Sequence, residues 1–136
     1  MKKIIFLLVS ASIIIFVSLF FKYYKYNKSD GWTYLKYNNI LYVLNVESPE
    51  DDEEIIKNLE LIGTVSKKIP KYFEPIENNT SNGIPKGIEI FKEKYENTVP
   101  SAIYILVNSD YYILDNTETA DGWGNGIKAN FKDLRR

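Results

Sequence analysis

From Ile4 to Phe21 the chain runs eighteen residues without a charge, and fourteen of them are Ile, Leu, Val or Phe, interrupted only by Ser10, Ala11, Ser12 and Ser18. As an α-helix this stretch is roughly 27 Å long, close to the roughly 30 Å hydrocarbon core of a bilayer. Tyr23, Tyr24 and Tyr26 come next, at the depth where amphipathic rings are favoured. At about −0.3 to −0.6 kcal/mol per strongly apolar residue, the run contributes on the order of −4 to −8 kcal/mol toward insertion, from which the serines subtract. Residues 4–21 are therefore expected to meet membrane lipid, and any globular fold has to be built from the chain beyond them.

A cleaved signal peptide is the competing reading, since it too begins with lysines and an apolar core. The small residues it needs occur only at Ser10-Ala11-Ser12, and cutting there leaves an apolar core of six residues, Ile4 to Val9, with a second apolar block on the mature N-terminus. An uncleaved anchor is the better expectation. Orientation is less constrained, because Lys2 and Lys3 face Lys22, Lys25, Lys28 and Lys36 across the span. A short stub with two lysines resembles the start of an exported segment, which places the N-terminus inside and the C-terminal domain outside.

The chain has 136 residues with a formal charge of −1, but that value averages two unlike pieces. Residues 1–28 hold five lysines and no acid, and read as the anchor with a juxtamembrane linker. Residues 29–136 hold twelve basic and eighteen acidic residues, about −6, and read as one small extracytoplasmic domain. An acidic domain argues against nucleic acid as a partner, because phosphate binding needs a basic surface. With no histidine and no cysteine, Cys/His zinc sites, disulfides and His- or Cys-based nucleophilic catalysis are excluded by inventory. No metal and no cofactor is expected.

The domain reads as mainly β (α+β): a small antiparallel sheet or barrel-like unit with one short helix. Leu35 to Val46 is rich in tyrosine and β-branched residues around Asn38-Asn39, which predicts a hairpin or a strand from Ile40 to Val46 with Leu41, Val43 and Val46 toward the core. The acidic run from Glu47 to Glu54 has the donor type of a calcium site. It reads better as a helix start, with Ser48 as N-cap, Pro49 in the first turn, Asp51 completing a capping box and the helix running to Asn58. Leu59 to Ile69 suits a strand broken by a bulge at Gly63, or a helix ending at Ile62 with Gly63 as its C-cap. Residues 70–85 form a loop, 87–91 a strand and 92–97 a charged turn. Ala102 to Val107 and Tyr111 to Leu114, joined through Asn108-Ser109-Asp110, predict the central hairpin. The tail after Ile127 is basic and expected to fray.

Binding candidates are Trp32 in Asp30-Gly31-Trp32 and the tail segment Asp121-Gly122-Trp123-Gly124-Asn125, because exposed aromatics in turns often anchor partners. Core packing would account for either tryptophan equally well. The tail glycines lack a following Lys-Ser/Thr, so they are no phosphate loop. Ile62-Gly63-Thr64-Val65, Ser81-Asn82-Gly83-Ile84-Pro85-Lys86-Gly87-Ile88-Glu89-Ile90-Phe91, Tyr104-Ile105-Leu106-Val107 and Tyr111-Tyr112 resemble small secreted or membrane-anchored β domains of low-GC Gram-positive bacteria, over Asn38 to Leu114. The resemblance makes Gly63, Ser81, Asn82, Pro85 and Gly87 structural motif residues, and implies a compact β domain outside the membrane without implying a reaction. The expected function is a single-pass, non-catalytic domain that binds a protein or peptide, with immunity against a secreted toxin or bacteriocin as one form. The alternatives are an accessory subunit of a membrane signalling or transport complex acting through its helix, and a wall-active hydrolase using a carboxylate pair.

Overall fold

The computed structural model describes residues 1–45, 49–96, 99–119 and 128–135. Helix α1, Lys2–Tyr23, is one continuous rod of 22 residues with no side chain buried against protein, and an 18-residue stretch of it with mean hydropathy 2.9 meets the length and composition needed to cross a membrane. Its three serines do not leave bare hydroxyls in that rod. Ser10, Ser12 and Ser18 each donate to the carbonyl four residues earlier, at 2.8, 2.9 and 2.8 Å. This lowers the cost of placing them in a medium without water.

The remaining chain is mainly β, an eight-stranded curled sheet: β1 Tyr34–Tyr37, β2 Ile40–Leu44, β3 Leu59–Thr64, β4 Lys67–Lys68, β5 Thr80–Ser81, β6 Glu89–Glu93, β7 Ala102–Val107 and β8 Asp110–Asn116. Their order is β3-β6-β7-β8-β2-β1-β5-β4. The first and last strands in that order are the two halves of one bent segment, with only Val65 and Ser66 between them. Bending there carries one chain segment from one edge of the sheet to the other, which is what curls it. All pairings are antiparallel except β4 with β5, which the return of the bent segment makes parallel.

Both predicted hairpins form. Asn38 and Asn39 have φ of 48° and 64°, and Asn108 and Ser109 have 51° and 71°. Two consecutive positive φ values match the right-handed twist of the flanking strands, and asparagine tolerates them. The second turn therefore needs only Asn108-Ser109, so β8 begins at Asp110 and runs to Asn116, past the expected Leu114. Gly63 sits at the register shift between Leu61 and Gly63 in β3, so the strand with a bulge is the form adopted rather than a helix ending at Ile62.

Several expectations are corrected. On β2 the core side is Ile40, Tyr42 and Leu44, while Leu41 is half-exposed. Val43 is also buried, so the alternation carried no sign of which face turns inward. Val46 lies outside the described residues. Helix α2 is Glu53–Lys57 and starts four residues later than expected, because the Asp52 carboxylate accepts from the Glu54 N–H at 3.0 Å and takes the capping role. Pro49 stays outside the helix, and Ser48 lies outside the described residues. The tail does not fray. Ala129 and Phe131 are buried in the core and a 3₁₀ turn covers Phe131–Arg135.

The core is formed by Leu35, Tyr42, Leu44, Ile84, Ile90, Ile103, Ile105 and Leu114, each fully enclosed, with Val65 at the bend. Tyr104 lies on the opposite face of β7 and reaches Glu93 Oε1 at 3.1 Å. Truncating Ile105 to alanine is expected to destabilise the domain by about 2–5 kcal/mol. Leu61→Ala, at a strand position 56% exposed, is expected to cost less than about 1 kcal/mol. Urea unfolding of the detergent-solubilised chain followed by tryptophan fluorescence checks the contrast.

Candidate functional site

The Ser81-Asn82-Gly83 motif begins on the last residue of β5 and is the most densely bonded place in the domain. Ser81 Oγ donates to the Tyr34 carbonyl at 2.6 Å and accepts from the Gly83 and Ile84 N–H groups at 3.1 and 2.9 Å. One donor and two acceptor sites are all a hydroxyl has. The fully buried Asn82 accepts from the Tyr34 N–H at 2.7 Å through Oδ1. Its Nδ2 group serves three oxygens: Trp32 O at 2.9 Å, Lys71 O at 3.1 Å and Ser29 Oγ at 3.2 Å. The motif thus binds three segments: the chain leaving α1, the entry to β1 and the loop after β4.

Gly83 makes the third contribution by having no side chain. A methyl group there would lie 2.5 Å from Thr33 Oγ1 and 2.9 Å from its Cγ2. Thr33 Oγ1 accepts from the Phe131 N–H at 2.9 Å, so this close approach also seats the C-terminal turn. Gly87, with φ of 95°, makes the turn after Pro85 and donates its N–H to Val65 O at 2.8 Å, which holds the bend between β3 and β4. Ser81, Asn82 and Gly87 thus bond the segments around the bend, while Gly63 lies at the bulge of β3 and the Pro85 carbonyl accepts from the Ile88 N–H at 3.4 Å.

The segment after α1 is not a loose linker. Ser29 N–H donates to Tyr72 O at 2.7 Å, Glu74 N–H to Asn27 O at 2.9 Å, and Lys28 bridges Phe73 in antiparallel fashion. Tyr23, the last residue of α1, stacks on Phe73 with ring centroids 5.0 Å apart and an interplanar angle of 3°, and Tyr26 packs beside it at 5.8 Å. Local spacing offers no sign of this partner, because Phe73 stands 50 residues away in a proline-flanked loop.

Beside the Asn82 network opens a cleft of about 310 Å³ lined by Gly31, Thr33, Ile69, Pro70, Asn82, Gly83, Asn130 and Phe131, with Lys68, Lys71 and Lys132 on its rim. Ile69 and Phe131 are buried and give it an apolar floor. Every charged residue lining it is a lysine. Among the described residues none of the three forms an ion pair. This concentration was invisible in the sequence, where the three lysines lie scattered over 65 positions of an acidic domain.

Trp32 borders the site. It is 36% exposed, its N–H donates to Asp30 Oδ1 at 3.3 Å, and its carbonyl belongs to the Asn82 network, so it is both packed and presented. The other binding candidates, Asp121, Gly122, Trp123 and Asn125, lie outside the described residues. Next to Trp32, Asp30 Oδ2 meets Lys128 Nζ and Tyr34 OH, both at 2.9 Å, and these two are 3.1 Å from each other. Partial burial would raise the Asp30 carboxyl, but hydrogen bonds from Lys128, Tyr34 and the Trp32 N–H outweigh it and hold the group below its usual range. The hydrogen bond to Asp30 raises Lys128. Burial pushes Tyr42 up to about 12 and raises Tyr104 further, so both phenols stay neutral. In the acidic run, Glu50 and Asp52 accept backbone N–H groups two residues on. Among the described residues no three acidic side chains converge as a cation site.

Asn82→Ala leaves the buried Tyr34 N–H without an acceptor, and is expected to lower stability by about 3 kcal/mol or more, read by urea unfolding. Asp30→Asn is expected to cost at most about 1 kcal/mol at neutral pH, since the carboxylate is half-exposed and solvent screens it. Because the folded carboxyl is depressed, its contribution is present above the unfolded pKa and disappears as pH falls through the folded one. The gap between wild type and Asp30→Asn in pH-dependent thermal melts should therefore close as pH falls below the ordinary aspartate range. Comparison of the chain with protein-family models, with curated proteins and with solved structures finds no match.

Proposed function

We propose that the protein is a single-pass, membrane-anchored, non-catalytic binding domain on the outer face of the cell membrane that recognises a protein or peptide partner. The observation that carries this reading is the rigid seating of the domain on its anchor. Stacking of Tyr23 on Phe73 and pairing of residues 27–29 with 72–74 hold the two pieces in one relative attitude. A tether serving attachment alone has no need of such a joint, whereas a domain that must present one surface to an approaching partner benefits from it.

Charge supports the choice of surface. The acids at 50–54 precede Leu59, at the far end of the bent β3–β4 segment from Lys67 and Lys68, and Glu93, opposite Leu59, and Glu96 join them there, while Glu60 is paired with Lys92 at 3.0 Å. Such a field steers cationic molecules toward it. A cationic protein or peptide is the matching partner, and protection of the cell against a secreted cationic toxin is one role of this kind. The second reading, an accessory subunit acting through its helix, is favoured by one observation: every apolar face of α1 is left open for a membrane neighbour.

A photo-cross-linking residue in place of the exposed Glu53, installed in the full chain in its native membrane, is expected to capture a discrete protein or peptide. Exchanging residues 2–23 for an unrelated spanning helix should leave that adduct intact. Loss of the adduct on exchange assigns the contact to α1 and the accessory-subunit reading. A reporter fused after Arg136 checks the orientation: an enzyme active only outside the cytoplasm should be active there.

A further inference from the structure

We infer that the cleft rimmed by Lys68, Lys71 and Lys132 is a docking site for the phosphate of an anionic lipid headgroup in the leaflet that α1 enters, and that the basic side of the domain rests on the membrane.

The cleft lies within reach of the membrane surface. Lys71 is two residues from Phe73, on which the last residue of α1 stacks at 5.0 Å. The Lys71 carbonyl and Ser29 Oγ share the Asn82 amide at 3.1 and 3.2 Å. Ser29 lies six residues beyond Tyr23, a chain distance of at most roughly 20 Å. Tyr23 itself stands at the edge of the hydrocarbon, so the cleft lies close to the headgroup layer, which adds roughly 5–8 Å on each side of the core.

Charge favours the same placement. A domain of about −6 held this close to an anionic bilayer is repelled by it unless its positive groups face the lipid. The lysines near the anchor do so as a set: Lys22, Lys25 and Lys28 leave the membrane together, and Lys68, Lys71 and Lys132 gather on the cleft. Of the first group, Lys25 is partly compensated by Glu77 at 3.5 Å. Those on the cleft have no ion-pair partner among the described residues.

Shape selects a lipid over a bare anion. Three exposed lysines line a hollow that also holds the buried Ile69 and Phe131 and the adjacent Pro70, with the Lys71 ammonium over the neighbouring Tyr72 ring at 5.1 Å. Asn130 adds a neutral amide to the lining. A lipid headgroup combines the two features this asks for, a phosphate for the rim and glycerol and ester carbons for the floor. Free phosphate would use only the rim.

The test uses the full chain in lipid nanodiscs and an amine-reactive label read by mass spectrometry. In phosphatidylglycerol discs relative to phosphatidylcholine discs, labelling of Lys68, Lys71 and Lys132 should fall roughly fivefold each, while the exposed Lys57 and Lys94, beside α2, stay unchanged. Equal labelling of the cleft lysines in both discs overturns the inference. So does protection in phosphatidylcholine discs by inorganic phosphate alone, which assigns the cleft to a soluble anion. The variant K68Q/K71Q/K132Q, altered only at exposed positions, should keep its thermal melt but lose the dependence of domain attitude on lipid charge, measured as energy transfer from Trp32 to a headgroup acceptor. A dependence that survives in this variant overturns the role of these lysines. The inference rests on α1 remaining attached. The intact mass of the chain recovered from native membranes reads that separately, and an unprocessed chain in nanodiscs answers the lipid question whatever that mass is.

Discussion

The Asn82 carboxamide, enclosed on all sides, holds together pieces of chain that have no other reason to meet. Its oxygen is the acceptor for Tyr34 N–H and its nitrogen the donor for Trp32 O, Lys71 O and Ser29 Oγ. Each of those backbone groups is removed from water by the packing around it, and a buried unpaired amide or carbonyl costs about 1–3 kcal/mol. No apolar residue of similar size can replace it, since it would leave all of them unpaired. Ser81 completes the arrangement by using its whole hydrogen-bonding capacity on the neighbouring backbone. As a result no buried side-chain polar atom among the described residues lacks a partner.

This network decides where the rest of the molecule sits. It fixes the entry to β1, and β1 pairs with both β2 and β5, so the register of that half of the sheet depends on it. Through Thr33 it reaches the C-terminal turn, and through Ser29 the exit from α1. Gly83 matters for the same reason, because only a missing Cβ lets its backbone approach Thr33 this closely. Fold closure and attachment to the anchor are consequences of one cluster of hydrogen bonds.

How much of this could be read from the sequence depended on whether the determining contacts were local. The long apolar helix was legible because an uncharged run of eighteen residues needs no tertiary context. The two hairpins were legible because Asn-Asn and Asn-Ser are short, polar and tolerant of positive φ. The mainly β class came with them. The inward face of β2 was not legible, since Tyr42 and Val43 are both buried and alternation has a meaning only when one face is wet. The start of α2 was displaced because Ser48, Asp51 and Asp52 are all competent caps. The Tyr23–Phe73 stack and the lysine-rimmed cleft are non-local, and composition pointed the wrong way by making the domain acidic as a whole. Trp32 was singled out for being an aromatic in a turn; its neighbours Gly31 and Thr33 line the cleft, but nothing around them in the sequence announces Lys68, Lys71 or Lys132.

Rigid attachment changes what weak contacts can do. A lysine near an anionic surface is worth on the order of 1 kcal/mol, too little for three of them to hold a free domain to a membrane against the entropy of immobilising it. With α1 inserted, as proposed, that cost is met by burial of its apolar residues, and the same contacts act within a single tethered molecule at a high effective concentration. They then have only to choose among attitudes of the domain, a selection in which a few kcal/mol is decisive. The joint made by Phe73 and by residues 27–29 already narrows that choice before any lipid is engaged. On the proposed placement, Lys68, Lys71 and Lys132 turn toward an anionic bilayer while the acids at 50–54, at the far end of β3 from them, face the medium.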